Sequence, residues 1–275
     1  MTRLSDTFGR LRAEHACGLF PYLMAGFPDV ETSQGLAIAA LEAGADGFEI
    51  GVPFSDPLAD GTTLQRANAR ALAGGASLGA ALDLARFVRA RAPDVPLLLM
   101  SYYNPLRQRG DERFAADLAD LGADGAIVPD LPPEEATSLH QSLAARGQAL
   151  VPLLAATSPE PRVKAVAALE PAFIYCVALV GVTGARHELA ATLGEFLQRV
   201  RAATPAPLGV GFGISRPEHV RRVAELGADA AIVASALADL VERSPDPVSD
   251  ARRYLSELKT ASRSGGSPAP APAAP

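Results

Sequence analysis

Gly44-Ala45-Asp46-Gly47-Phe48-Glu49-Ile50, Gly122-Ala123-Asp124-Gly125-Ala126-Ile127-Val128 and Gly227-Ala228-Asp229-Ala230-Ala231-Ile232-Val233 are three renderings of one phrase. Each reads as a helix stop at glycine, a turn, and the start of an apolar strand. Loops from helix to strand converge on this chemistry unaided, and an internal repeat would also produce it. Either origin supports repeated βα units. Around these phrases, eight short apolar runs emerge: Leu19–Met24, Gly47–Val52, Leu97–Met100, Gly125–Val128, Leu150–Leu154, Phe173–Val177, Leu208–Gly211 and Ala230–Val233. Most are continuously apolar rather than alternating, as parallel strands buried on both faces are.

Amphipathic stretches separate the runs. Val30–Ala43 places Leu36, Ala40 and Ala43 at helical spacing. Ser158-Pro159 predicts an N-cap and first-turn proline for a helix over Glu160–Leu169. Ser215-Arg216-Pro217-Glu218 predicts a capping box for a helix to Leu226. Glycines at 44, 122 and 227 predict helix ends. Eight βα units in about 250 residues predict an α/β fold, a single (β/α)8 TIM barrel. A doubly wound open sheet is the rival. It would use fewer strands and often a glycine-rich first turn, which is missing after Leu19–Met24. Leu4, Phe8 and Leu11 predict an extra N-terminal helix covering the barrel's bottom, and a last helix runs from about Ser249 to Lys259. The barrel domain is assigned to residues 1–260 and a disordered Ser/Gly/Pro/Ala tail to 261–275.

Composition narrows the function. The chain has 275 residues, 48% of them hydrophobic, and a net charge of -6. The hydrophobic content argues against disorder, and the acidic balance without a basic stretch argues against nucleic acid as a partner. No apolar run is long enough for a spanning helix, and the N-terminus has no signal-peptide core. A cytoplasmic protein with no membrane partner is expected. Cys17 and Cys176 are too few for a disulfide framework. Only two lysines occur, Lys164 on a predicted helix and Lys259 near the tail, so a Schiff-base mechanism has no strand-borne amine. His15, His140, His187 and His219 show no metal-pair spacing, and no metal site is expected.

Function in such barrels sits at the C-terminal ends of the strands. Glu49 lies inside the apolar strand Phe48–Val52, where desolvation would raise its pKa and suit it to acid–base work. A solvent-facing strand end or a buried ion pair would use the same residue. Asp60-Gly61 and Asp56 alone read as turn residues. The loop that holds them is long and follows a strand already carrying a carboxyl, as loops that serve a site do. Three glycine-bearing or helix-opening segments follow the late strands: Gly181-Val182-Thr183-Gly184, Gly211-Phe212-Gly213-Ile214-Ser215 and Ala234-Ser235-Ala236-Leu237. Together they fit a phosphate site built from backbone N–H groups and a helix N-terminus.

The stretch Phe48-Glu49-Ile50-Gly51-Val52-Pro53-Phe54-Ser55-Asp56-Pro57-Leu58-Ala59-Asp60-Gly61, with Val128-Pro129-Asp130-Leu131-Pro132-Pro133-Glu134-Glu135 and the two glycine motifs, resembles the tryptophan synthase alpha chain family. The match runs from about Leu4 to Leu258. The resemblance implies a lyase that cleaves indole-3-glycerol phosphate to indole and glyceraldehyde 3-phosphate in a retro-aldol reaction. It implies Glu49 as the principal acid–base and Asp60 as the partner of the indole N–H. Tyr22, Met100, Ile127, Leu153, Tyr175 and Thr183 would line the substrate pocket, and Gly184, Phe212, Gly213, Ala234 and Ser235 would hold the phosphate. No cofactor is implied in this chain; pyridoxal phosphate would belong to a β chain, with which an α2β2 tetramer is expected. Pro53 and Asp56 would lie on the loop facing that β chain. The sequence departs from the family's pattern at Phe27, at Ala178-Leu179-Val180, at Ala155-Ala156-Thr157 and at Ala234. Another phosphate-binding barrel enzyme of indole or histidine biosynthesis, or a non-catalytic subunit that activates the β chain, are the alternatives.

Overall fold

The computed structural model describes residues 2–177, 186–211 and 213–263, with the backbone alone over 186–191. Its strands are β1 (Gly18–Met24), β2 (Phe48–Gly51), β3 (Leu97–Met100), β4 (Gly125–Ile127), β5 (Ala149–Val151), β6 (Leu153–Ala155), β7 (Ile174–Val177), β8 (Leu208–Gly211) and β9 (Ala230–Val233). They form one parallel sheet in the order β5-β4-β3-β2-β1-β9-β8-β7-β6. The two outermost strands, β5 and β6, are consecutive in the chain with Pro152 between them.

This corrects the expected single run Leu150–Leu154. Proline has no N–H to give a ladder, so strand pairing breaks there. Its carbonyl still accepts the Tyr175 N–H at 2.9 Å. Because β5 pairs with β4 and β6 pairs with β7, the covalent link through Pro152 closes the sheet. The result is a (β/α)8 barrel whose fifth stave is split in two.

The helices among the described residues are α1 (Arg3–Ala13), α2 (Val30–Glu42), α3 (Thr62–Ala73), α4 (Leu78–Arg91), α5 (Tyr103–Arg109), α6 (Asp111–Leu121), α7 (Thr137–Ala144), α8 (Glu160–Ala167), α9 (Arg186–Ala203), α10 (Pro217–Glu225), α11 (Ser235–Arg243) and α12 (Pro247–Ser262). Gly44, Gly122 and Gly227 all have positive φ, as helix-ending glycines do. Two expected caps differ. The N-cap of α8 is Pro159, and the Ser158 hydroxyl accepts the Ala155 N–H instead. The N-cap of α10 is Arg216, with no side-chain cap, because Ser215 is engaged with the His219 ring. The last helix runs past the expected end at Lys259 to Ser262; the tail from 264 lies outside the described residues.

Strand register fixes which side chains face the lumen. Phe20 pairs with Ile232, Tyr22 with Glu49, Glu49 with Leu98, and Leu153 with Tyr175. Phe20, Leu98, Ile127, Val151, Phe173, Tyr175 and Ile232 form one packed cluster inside the barrel. At its lower end α1 inserts Leu4, Phe8 and Leu11 into that cluster, with Phe8 5.9 Å from Phe20 and 5.6 Å from Phe173 between ring centres.

The repeated phrase has a shared structural job at this lower end. The Asp46 carboxylate accepts the Leu19 N–H at 2.9 Å, Asp124 that of Leu97 at 2.8 Å, and Asp229 that of Leu208 at 2.8 Å. Each aspartate thereby holds the first or second residue of the neighbouring strand. Each also faces one arginine of α1: Arg10 at Asp46, Arg3 at Asp124 and Arg12 at Asp229. A second cation completes each site: Lys259, Arg89 and Arg201 respectively. The three α1 arginines are 38–54% exposed, so each pair adds at most about 1 kcal/mol. Burial of Leu4, Phe8 and Leu11 is worth about 1.5–3 kcal/mol each and dominates the docking of α1.

Candidate active site

Glu49 sits on β2 with its side chain on the lumen side, since its register partners are Tyr22 and the lumen residue Leu98. It is 0% exposed, and neither carboxyl oxygen has a hydrogen-bond partner. Stripping a carboxylate of water without a replacement disfavours the charged form. Burial accordingly lifts the Glu49 pKa from 4.5 to about 8. At neutral pH this group is mostly a carboxylic acid with a proton to deliver.

Asp60 ends the loop between β2 and α3. It is half-buried, and burial is the largest influence on it, lifting its pKa to about 6; hydrogen bonds from Asn68 and Tyr102 oppose the rise. Both carboxyls are desolvated, Glu49 more so, and above pH 6 Asp60 is the ionised one of the two.

Two tyrosines lie near Glu49 in the lumen. Adding a Cβ to Gly51 would bring it within 2.0 Å of the Tyr22 hydroxyl, and adding one to Gly211 within 2.1 Å of the Tyr175 hydroxyl. Each tyrosine thus lies in the space left by a glycine on the adjacent strand. Burial is the main cause that raises both phenol pKa values, with the charges of Asp60 and Glu49 adding to it. The Tyr22 hydroxyl has one weak contact, to the Met24 sulfur at 3.9 Å. Met100 and Leu153 are half-buried and Ile127 fully buried, all packed in the lumen cluster with Tyr175. The six strand-borne site residues singled out in the sequence (Tyr22, Glu49, Met100, Ile127, Leu153 and Tyr175) therefore share one barrel interior.

On the rim, Gly213 has φ +77, a left-handed conformation that glycine adopts without strain, and Ser235 is exposed as the first residue of α11. Ala234 precedes it as the N-cap. Thr183, Gly184 and Phe212, and the departure at Ala178–Val180, lie outside the described residues. Phe27, another departure, is buried with the Arg70 guanidinium 5.8 Å from its ring. Pro53 is buried at the foot of the loop, whereas Asp56 is exposed and accepts the Ser55 hydroxyl. Leu58 is 91% exposed, and a hollow of about 490 Å³ beside it is lined by Phe54, Asp56, Leu58, Ala59, Tyr102 and Asp130.

Two residues that the sequence reading passed over also belong here. The Tyr102 hydroxyl accepts the Ala59 N–H at 2.8 Å, and its ring stacks on Phe54 at 5.2 Å. Asn68, buried on α3, donates to the Asp60 carboxylate at 3.0 Å. Their only sequence signal is proximity to the loop, Tyr102 after β3 and Asn68 on the helix that follows. Among the described residues no group of three His, Cys, Asp or Glu side chains is placed to hold a metal ion.

A family model described as tryptophan synthase alpha chain matches residues 8–264. The chain belongs to the tryptophan synthase alpha chain family. A tryptophan synthase alpha chain of Roseiflexus sp. (strain RS-1) is 52% identical over 245 residues, covering 89% of this chain and 94% of the relative. That of Chloroflexus aurantiacus is 49% identical over 263 residues, covering 95% and 98%. Among solved structures, tryptophan synthase of Mycobacterium tuberculosis superposes with a TM-score of 0.88 at 34% identity, covering 96% of this chain and 99% of that one. The alpha chain of Legionella pneumophila gives 0.87 at 33% identity, covering 97% and 99%. These relatives are matched almost end to end, and the family model spans every strand of the barrel, the long β2–α3 loop and the second half of α1.

Proposed function

We propose that this chain cleaves indole-3-glycerol phosphate through Glu49 and Asp60, the reaction of its family. The supporting observation is a fully buried glutamate with no hydrogen-bond partner in the barrel lumen near Tyr22 and Tyr175. Protonated at neutral pH, Glu49 delivers its proton to indole C3, the ring carbon bonded to the glycerol chain. The ring becomes an indolenine with positive charge on nitrogen. The Asp60 carboxylate, ionised above about pH 6, accepts the indole N–H and stabilises that charge. Glu49, now a carboxylate, takes the proton of the hydroxyl on the adjoining carbon. That carbon becomes the aldehyde, the carbon–carbon bond breaks, and its electron pair returns to the ring to give indole. Glu49 ends protonated, as it began, so the cycle needs no external acid or base.

Met100, Ile127, Leu153 and the two tyrosine rings give the indole an apolar chamber. Gly213, Ala234 and Ser235 offer N–H groups and a helix N-terminus to the phosphate, and the family pattern adds Thr183, Gly184 and Phe212 to that rim. The loop bearing Asp56 and exposed Leu58 is the seat for a β chain, which carries the pyridoxal phosphate of the α2β2 assembly. No single helix among the described residues is long and apolar enough to cross a membrane, and we assign the enzyme to the cytoplasm.

The test is product analysis with purified chain and indole-3-glycerol phosphate, alone and with a β chain. Release of indole and glyceraldehyde 3-phosphate in equal amounts supports the reading. No cleavage in either condition, with the β chain still activated, would identify a regulatory subunit instead.

A further inference from the structure

We infer that Asn68 is a positioning residue for the cleavage, its amide holding the Asp60 carboxylate and the Phe54 backbone in one frame on α3. The inference rests on the acid–base reading above. Asn68 occupies the middle of α3, where asparagine is a poorer helix former than alanine by about half a kcal/mol. It is 2% exposed. A buried amide in such a place must satisfy its polar atoms, and this one does so through the loop. Its Oδ1 accepts the Phe54 N–H at 2.9 Å. Its Nδ2 donates to Asp60 Oδ2 at 3.0 Å and to the Leu64 carbonyl, one turn back on the same helix, at 2.9 Å. The last bond fixes the amide plane, so that one N–H points at Asp60 and the carbonyl oxygen at Phe54.

The loop between these two contacts has little else to hold it. Ser55, Asp56, Leu58 and Ala59 are exposed. Its other anchors are the Tyr102 hydroxyl on Ala59 N–H and the Gln65 side chain on the Asp60 carbonyl. Gln65 grips only backbone at the loop's end, while Tyr102 also stacks on Phe54 and hydrogen-bonds Asp60. Asn68 adds hydrogen bonds from one rigid helix to both the Phe54 backbone and the Asp60 carboxylate. An N–H donor also favours the ionised form of Asp60, the form that accepts the indole N–H. The titratable groups that feel the Asp60 charge are Tyr22 on β1, Tyr102 after β3 and Tyr175 on β7. Burial keeps all three phenols neutral across the working pH range, so none competes with Asp60 for the acidic limb of activity.

The experiment compares wild type, Asn68→Ala, Asn68→Asp and Asp60→Asn as full chains in indole release across pH 5–9. It adds melting temperatures and amide hydrogen exchange at Phe54. Asn68→Ala removes both loop contacts. Asn68→Asp is nearly isosteric, keeps an acceptor for Phe54, removes the donor to Asp60 and sets a like charge against it. The expected results are a fall in kcat of about tenfold to a hundredfold in both variants, with KM changed far less. The acidic limb moves to higher pH by about half a unit or more in Asn68→Ala and further in Asn68→Asp. Phe54 exchange quickens in Asn68→Ala only. Unchanged kcat and an unmoved acidic limb, with only a lower melting temperature, would make Asn68 a packing residue and overturn the inference. Should Asn68→Ala fail to fold, Asn68→Asp reads the same limb. If Asp60→Asn cleaves as fast as wild type, the role of Asp60 itself fails, a result distinct from an inert Asn68.

Discussion

Replacing Glu49 by glutamine should change how folding stability depends on pH, by an amount the structure sets. The folded chain holds Glu49 with a pKa of about 8, while an exposed glutamate titrates near 4.5. Between those values the folded state keeps a proton that the unfolded state releases, so stability falls as pH rises. At about 1.4 kcal/mol per pH unit the full effect is about 5 kcal/mol, of which about 4 kcal/mol develops between pH 5 and pH 9. The Glu49→Gln variant has no proton to lose at this position and escapes the penalty. Every other titrating group is common to both proteins and cancels in the difference. Wild type and Glu49→Gln are unfolded in urea at pH 5 and pH 9, and their midpoints compared at a shared slope. The wild type should lose about 4 kcal/mol relative to the variant on going from pH 5 to pH 9. That is far above the half kcal/mol of an ordinary surface substitution. A stability difference equal at both pH values would overturn this expectation, because Glu49 would then ionise in the folded state as freely as in the unfolded chain.

Three further outcomes follow from the geometry. The pH profile of kcat/KM should be bell-shaped, with an acidic limb near 6 from Asp60 and an alkaline limb near 8 from Glu49; a flat profile between pH 5 and pH 9 would contradict it. Gly51→Ala should cost about 1–3 kcal/mol in thermal unfolding and lower activity, since its Cβ meets both the hydroxyl and ring carbons of Tyr22. Adding Tyr22→Phe should give partial relief, since the ring carbons still lie at 2.3 and 2.8 Å, and adding Tyr22→Leu should recover more stability, so the two double variants separate ring clash from hydroxyl clash. Asp124→Ala should destabilise by about 3–5 kcal/mol, because it leaves the mostly buried Arg89 without its carboxylate and Leu97 without its acceptor, whereas Arg3→Ala at the same site should cost less than about 1 kcal/mol. Chemical denaturation of the two variants checks the ranking.

The parallel barrel was legible because its strands are buried on both faces and read as unbroken apolar runs. Glu49 was legible for the same reason, as a carboxyl in the middle of such a run. Pro152 was visible too, but a run of apolar residues does not show that one missing N–H splits a strand while the chain continues the barrel wall. The three phrases announced turns. Their aspartates turn out to hold residues at the starts of strands, 21 or 27 positions away, and to receive the arginines of α1, and local spacing carries no trace of such partners. Asn68 and Tyr102 escaped notice on similar grounds. Their contacts reach back 14 and 43 residues to a loop whose path only the folded chain defines. The expected caps at Ser158 and Ser215 failed because each hydroxyl found a different partner within a few residues.

Two carboxyls of unequal burial and acidity, Glu49 and Asp60, are proposed to cleave the substrate, and the sharpest check is indole release by the purified chain. Wild type should release indole from indole-3-glycerol phosphate, and Glu49→Gln should be slower by about 10²–10⁴-fold with substrate binding retained. Equal rates in wild type and Glu49→Gln would contradict that assignment.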